Sequence, residues 1–129
     1  MRKITFAFLA FALAATPLSA ATLQVTSAST DAQTEGSLPN ILSRIPIATA
    51  TNIEFNLDNE SIDFPTTGIV IDNKIISFDG INKKTGKAIT IHGGGKFLSI
   101  GANASITAKS IYFSGFNTIF SISDNASLS

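Results

Sequence analysis

Residues 97–107, FLSIGANASIT, and residues 119–129, IFSISDNASLS, are two copies of one pattern placed 22 positions apart. Each copy carries an isoleucine, two variable positions, Asn-Ala-Ser, then Ile or Leu followed by Thr or Ser. A repeat of this length predicts units that stack and bury their apolar faces against one another.

The same 22-residue step extends toward the N-terminus. It takes residues 97–100 back to residues 75–78, which again carry two apolar residues, a serine and an apolar residue. The step also aligns Ile69 with Ile91 and Phe113, and Gly93 with Gly115. We therefore expect Phe78, Ile100 and Ile122 to superimpose in successive units.

The residues from Ile53 onward are rich in Ile, Phe, Val and Thr, in short runs separated by Gly, Asn and Asp, as is typical of many short strands. A leucine-rich repeat fits poorly, because only Leu57, Leu98 and Leu128 occur after Leu42. The sequence predicts an all-β fold, a right-handed parallel β-helix with about 22 residues per coil. The predicted strand groups are 67–71, 75–78, 89–91, 97–100, 105–108, 111–113 and 119–122.

The N-terminus has the order of a secretory signal peptide. Arg2 and Lys3 precede the apolar run 4–15, and Pro17 and small residues follow it. We expect residues 1–21 to be removed, with cleavage after Ala20 or Ala21, and the protein to be secreted or held at the cell surface.

The region 22–52 predicts one strand and one helix ahead of the coils at 53–129. Residues 23–26 alternate apolar with polar. Leu38, Ile41, Leu42 and Ile45 lie on one face of a short helix, with Ser37 as its N-cap, Pro39 in its first turn and Pro46 beyond its end.

Composition excludes several function classes. The chain has no cysteine, which excludes disulfides and thiolate chemistry. Without Arg2 and Lys3, seven basic residues face nine acidic ones, a balance that argues against nucleic acid as a partner. Lys83, Lys84 and Lys87 cluster beside Gly86; we interpret them as a solvated turn, with a polyanion site as the alternative.

The chain resembles the large secreted β-helix proteins of bacteria, namely autotransporter-type adhesins and chlamydial polymorphic outer membrane proteins. The resemblance is carried by residues 21–26, by Gly36-Ser37-Leu38, by Ile53-Glu54-Phe55, and by the segments 75–80 and 89–94. It implies that the short helix caps one end of the β-helix and that stacked coils present a binding face. Pro39 departs from the basic residue usual after Gly-Ser-Leu, and the Gly-Gly-Ala-Ile repeats of the chlamydial branch are absent.

The last predicted coil ends at Ser129 with no visible cap, barrel or anchor. We therefore expect a truncated product or a fragment whose open coil could associate edge to edge with a partner. A remnant without independent activity is one hypothesis that follows.

The leading hypothesis is a non-enzymatic protein of the adhesin type that binds cell-surface molecules or polysaccharide. The alternative is a fragment of a polysaccharide lyase or hydrolase, for which Asp72 and Asp79, with Asp63 and Lys74 nearby, are the candidates. The turn pairs Asp72-Asn73 and Asp79-Gly80 favour a structural role instead.

The remaining candidate residues do not form a recognisable catalytic or ligand-binding motif. His92 lacks further metal ligands, and the glycines after it lack the order of a phosphate loop. Ser114 lacks the setting of a nucleophile. Asn103 and Asn125 predict equivalent left-handed bends, and their glycosylation triplets, like the one at Asn59, are weak signals. We assign no catalytic, cofactor-binding or metal-binding residue.

Overall fold

A computed structural model describes residues 21–123 and 125–129. The predicted signal peptide, apart from Ala21, lies outside these residues. The described chain contains eleven strands and one helix, α1, which spans Leu38–Ser43. The strands are β1 (Ala21–Val25), β2 (Ala50–Phe55), β3 (Ser61–Asp63), β4 (Ile69–Ile71), β5 (Ile75–Asn82), β6 (Ile89–His92), β7 (Lys96–Ile100), β8 (Ser105–Lys109), β9 (Ile111–Ser114), β10 (Thr118–Ile122) and β11 (Ser127–Leu128).

Eleven strands and a single short helix among the described residues place the protein in the all-β class. All strand pairs between these elements are parallel. A five-stranded sheet has the order β1-β2-β5-β8-β11, and two three-stranded sheets have the orders β3-β6-β9 and β4-β7-β10. From β2 onward the chain visits the five-stranded sheet, then the β3-β6-β9 sheet, then the β4-β7-β10 sheet, and repeats this order.

The inward side chains of all three sheets belong to one apolar cluster. Strand alternation explains this arrangement, because every second residue of β2, β5 and β6 is buried while its neighbours face outward. Phe97 is central to the cluster and fully buried. Its ring centre lies 4.7 Å from that of Phe64, 5.0 Å from that of Phe113 and 6.3 Å from that of Phe78.

The predicted helix forms but ends at Ser43, so Ile45, predicted on its apolar face, lies just beyond its end and is buried there. Ser37 is the N-cap, and its hydroxyl accepts a hydrogen bond from the backbone N–H of Asn40 at 3.2 Å. Pro39 lies in the first turn, where its missing N–H costs nothing. Leu38, Ile41 and Leu42 are buried in the apolar cluster, and α1 packs against the edge strand β1.

The seven predicted strand groups all correspond to strands, but the register only partly follows the 22-residue step. The step is correct for the last pairings, which join Ile100 to Ile122, Ile91 to Phe113 and Ile106 to Leu128.

The 22-residue step is wrong for earlier strands. Phe78 lies in β5 and pairs with Ile53 and Ala108, so it belongs to a different sheet from Ile100 and Ile122. Ile69 pairs with Leu98, 29 positions on, and not with Ile91.

The longer spacing has two causes, namely that β5 is longer than the equivalent strand β8, and that a turn at residues 83–88 joins β5 to β6. Residues Ile81 and Ala88 form an antiparallel bridge around it, and Gly86 has a positive φ of 74°. The connection between the equivalent strands β8 and β9 is the single residue Ser110. Ile76 consequently pairs with Ile106, 30 positions on, before the spacing falls to 22.

Buried Asn82 anchors this turn. Its amide oxygen accepts hydrogen bonds from the N–H groups of Leu57 and Lys84, at 2.9 and 3.2 Å. Its amide nitrogen donates to the carbonyls of Leu57 and Asn59, at 2.9 and 3.1 Å. The turn after β5 is thereby tied to the segment that follows β2.

Candidate functional site

The outward face of the five-stranded sheet carries a shallow polar groove of about 300 Å³. Its polar lining comes from alternate residues of three neighbouring strands, in two rows set by the register. One row is Asn52, Ser77 and Thr107, and the other is Glu54, Asp79 and Lys109. We call this surface the polar groove.

Both carboxylates of the polar groove are paired with Lys83. The ammonium of Lys83 lies 3.3 Å from a carboxylate oxygen of Asp79 and 3.6 Å from one of Glu54. Partial burial raises the pKa of Asp79, but the N–H of Ile81 and the charges of Lys83 and Lys109 outweigh it and leave that pKa below 3.8. The hydrogen bond from Lys83 to Asp79, the negative charge of Asp79 and the negative charge of Glu54 together raise the pKa of Lys83 above 10.5.

This electrostatic setting does not suit Asp79 to the role of a general acid. A glycosidase needs one carboxyl group that stays protonated near neutral pH, which requires a raised pKa. The Asp79 carboxyl is ionised and held by Lys83. Asp79 is therefore poorly suited to give up a proton.

The sequence-predicted acidic residues are not brought together. Asp79 lies in the polar groove, whereas Asp63 is in β3, on the outward face of another sheet. Asp72 is exposed in the turn after β4. Lys74 donates a hydrogen bond to the carbonyl of Leu42 at 3.3 Å, which ties the start of β5 to α1.

The lysine cluster is the turn between β5 and β6. Lys83 pairs with the groove carboxylates, and Lys84 lies 2.8 Å from the carboxylate of Asp58. The hydrogen bond and charge of Lys84 lower the pKa of Asp58 below 3.8. Two of the three lysines are thus neutralised by neighbours, which supports the solvated turn over a polyanion site.

His92 and Ser114 lie on the outward face of the β3-β6-β9 sheet. Asp63, His92 and Ser114 are register partners across its three strands. The imidazole Nε2 of His92 lies 3.2 Å from the hydroxyl of Ser61, with the direction of the hydrogen bond set by the tautomer.

The asparagines Asn103 and Asn125 both have left-handed backbones, with φ of 56° and 63°, as predicted. Asn73 adopts the same conformation, and its side-chain oxygen accepts a hydrogen bond from Asn103 at 3.4 Å. Asn73 and Asn103 thus form one step of a ladder at the bends. Asn59 accepts from the N–H of Ser61 at 3.1 Å.

A second, more apolar hollow of about 270 Å³ lies beside the edge strands β9, β10 and β11. Ile111, Phe113, Phe120 and Leu128 line it. The predicted edge-to-edge association would use these strands and this hollow.

Several residues of these surfaces escaped sequence reasoning. Glu54 and Lys109 flank Asp79 at offsets of 25 and 30 positions, so a search at 22 positions does not align them. Tyr112 is the only tyrosine of the chain, but it belongs to no sequence motif that would single it out. In the structure it is 67% exposed.

Comparisons with protein-family models, with curated proteins and with solved structures give no match. Residues 21–123 and 125–129 contain no helix whose length and hydropathy would let it cross a bilayer. The same residues contain no group of three or more His, Cys, Asp or Glu side chains arranged to hold a metal ion.

Proposed function

We propose that this chain is an exported, non-enzymatic β-helix protein of the adhesin type, which binds polar molecules at a cell surface through its outward-facing rows of side chains. The observation that carries the proposal is the polar groove. Rows of polar side chains from β2, β5 and β8 lie in register on one face, above a shared apolar cluster.

The proposed architecture is a right-handed parallel β-helix in which the three sheets are the faces of successive coils. The recurring visits to the three sheets support it, as does the single apolar cluster. Helix α1 would cap the end at β1, where Leu38, Ile41 and Leu42 cover apolar side chains that would otherwise meet water.

Export rests on the order of basic, apolar and small residues in positions 1–21. Ala21 is the first residue of β1 and pairs with Thr51, so cleavage after Ala20 would keep that strand whole. Expression of the full chain in a Gram-negative host, followed by N-terminal sequencing of the exported protein, tests this. We expect a start at Ala21 or Thr22, and Leu9→Arg, which interrupts the apolar run, should retain the protein in the cytoplasm.

Surface binding is tested with the purified exported protein on cultured epithelial cells and on bacterial cells. We expect saturable binding that the double variant Asp79→Asn, Lys109→Gln weakens at least fivefold. The matched control is Val70→Ser, an exposed residue on a different sheet. Absence of saturable binding to either cell type would refute the adhesin proposal.

A polysaccharide lyase or hydrolase is the second candidate, favoured by one observation. Glu54 and Asp79 are register partners in a groove and share the ammonium of Lys83. Paired carboxylates are the machinery of glycoside cleavage. Release of reducing ends or unsaturated products from polygalacturonate or cellulose, abolished by Glu54→Gln, would establish the enzyme in place of the adhesin.

A further inference from the structure

The outward face of the β3-β6-β9 sheet concentrates the chain's most distinctive polar side chains. It holds two rows of register partners, Ser61-Thr90-Tyr112 and Asp63-His92-Ser114. Tyr112 and His92 are the only tyrosine and the only histidine of the chain. We call this surface the tyrosine face.

The geometry of the tyrosine face places its groups on one patch, with His92 in the middle strand between Asp63 and Tyr112. Neighbouring parallel strands lie about 4.8 Å apart, and diagonal side chains on one face are about 7–8 Å apart. Tyr112 is a diagonal neighbour of His92, because its register partner Thr90 lies two residues before His92. Of these residues, Ser61, Asp63, His92, Tyr112 and Ser114 are all exposed.

The chemistry of these groups defines the ligand they suit. An exposed tyrosine ring offers an apolar plane with a polar tip. The carboxylate of Asp63 accepts hydrogen bonds, while imidazole and hydroxyl groups both donate and accept. A ligand that needs both an apolar plane and many hydrogen bonds has the character of a pyranose sugar, with its C–H surface and its ring of hydroxyls.

Charge and size argue against other occupants. The two rows contain no lysine or arginine, so the face offers no ammonium or guanidinium group to hold uronates, phosphates or nucleic acid. A protein partner needs an interface of about 1,200 Å² or more with an apolar centre, and a single aromatic ring does not supply one.

We propose that the tyrosine face binds a neutral oligosaccharide, with the ring of Tyr112 stacked on a sugar and with Asp63 and His92 bonding its hydroxyls. This inference rests on the proposed adhesin function and names a ligand class for it. The imidazole Nε2 of His92 lies 3.2 Å from the hydroxyl of Ser61, on the side of β6 that faces β3.

Tyrosine fluorescence tests the inference directly, because the chain has one tyrosine and no tryptophan. Cellohexaose and chitohexaose are the probes, and polygalacturonate is the anionic comparison. We expect a saturable change in Tyr112 emission and in the His92 ring signals in NMR spectra with at least one neutral probe, and none with polygalacturonate.

Variants test whether the Tyr112 ring contacts the sugar or is exposed without a binding role. In calorimetric titrations we expect Tyr112→Ala to weaken binding at least tenfold, Asp63→Asn at least threefold, and Tyr112→Phe less than threefold. The control Val70→Ser should leave the affinity unchanged. Failure of both neutral probes to bind, or wild-type affinity in Tyr112→Ala, would overturn the inference.

The outcome also distinguishes the inference from the adhesin proposal on which it rests. If the wild-type chain binds cells and Tyr112→Ala binds them equally, the adhesin proposal survives and the sugar face is refuted. If the wild-type chain binds no cells, the adhesin proposal itself is refuted.

Discussion

Removal of the buried amide of Asn82 should be among the most damaging single substitutions in the chain. Asn82 is fully buried and makes four hydrogen bonds to backbone groups, two of them to the N–H and C=O of Leu57. The variant Asn82→Ala leaves both Leu57 groups buried without partners, at about 1–3 kcal/mol each. We expect a loss of about 3–5 kcal/mol in the free energy of unfolding, a large share of the roughly 5–15 kcal/mol of a typical domain.

The assay is urea unfolding of the purified protein followed by far-UV circular dichroism. Asn52→Ala is the matched control, because Asn52 is an exposed asparagine in β2 and should change stability by no more than about 0.5 kcal/mol. Asn82→Asp keeps the shape but turns two donors into acceptors, so it should destabilise at least as much as Asn82→Ala. A loss below about 1 kcal/mol in Asn82→Ala would refute the role of Asn82 as the anchor of the turn.

Further predictions concern packing, close backbone contact and pH. Phe97→Ala should cost about 3–5 kcal/mol in urea unfolding, because it empties the centre of the aromatic cluster; a cost under 1 kcal/mol would contradict that placement. Gly95→Ala should lower the melting temperature markedly, because a Cβ there meets the carbonyl of Thr66, whereas the adjacent Gly94→Ala has room; equal effects would argue against the contact. The lowered pKa of Asp79 stabilises the fold above pH 3.8, by at most about 1 kcal/mol at this exposure, and the gain is lost as pH falls through the lower folded value. NMR titration of the Asp79 carboxyl showing a midpoint above pH 3.8 would contradict this.

Local features were predictable from the sequence because local chemistry decides them. The helix follows from the spacing of Leu38, Ile41 and Leu42 and from the capping serine Ser37. The strands follow from β-branched and aromatic runs, and the bends at Asn103 and Asn125 follow from the tolerance of asparagine for positive φ.

Register was less predictable, because it depends on how many residues each connection holds. The turn between β5 and β6 lengthens one connection, so residues 75–78 resemble 97–100 by composition and yet lie in another sheet. The near match at 22 positions is coincidental there, since apolar-apolar-Ser-apolar is a common strand pattern. The polar groove could not be predicted from the sequence for the same reason, because Glu54, Asp79 and Lys109 are register partners at unequal spacings.

Cysteine cross-linking tests the account most directly, since the chain has no native cysteine. Ser77, Ser99 and Ser121 are evenly spaced at 22 positions, but the structure pairs Ser99 with Ser121 and pairs Ser77 with Thr107. Paired strands place Cα atoms about 4.8 Å apart, within disulfide range. We expect Ser99→Cys with Ser121→Cys, and Ser77→Cys with Thr107→Cys, to cross-link under mild oxidation, and Ser77→Cys with Ser99→Cys to stay reduced. Efficient cross-linking of the last pair, or none of the first two, would contradict the three-sheet arrangement.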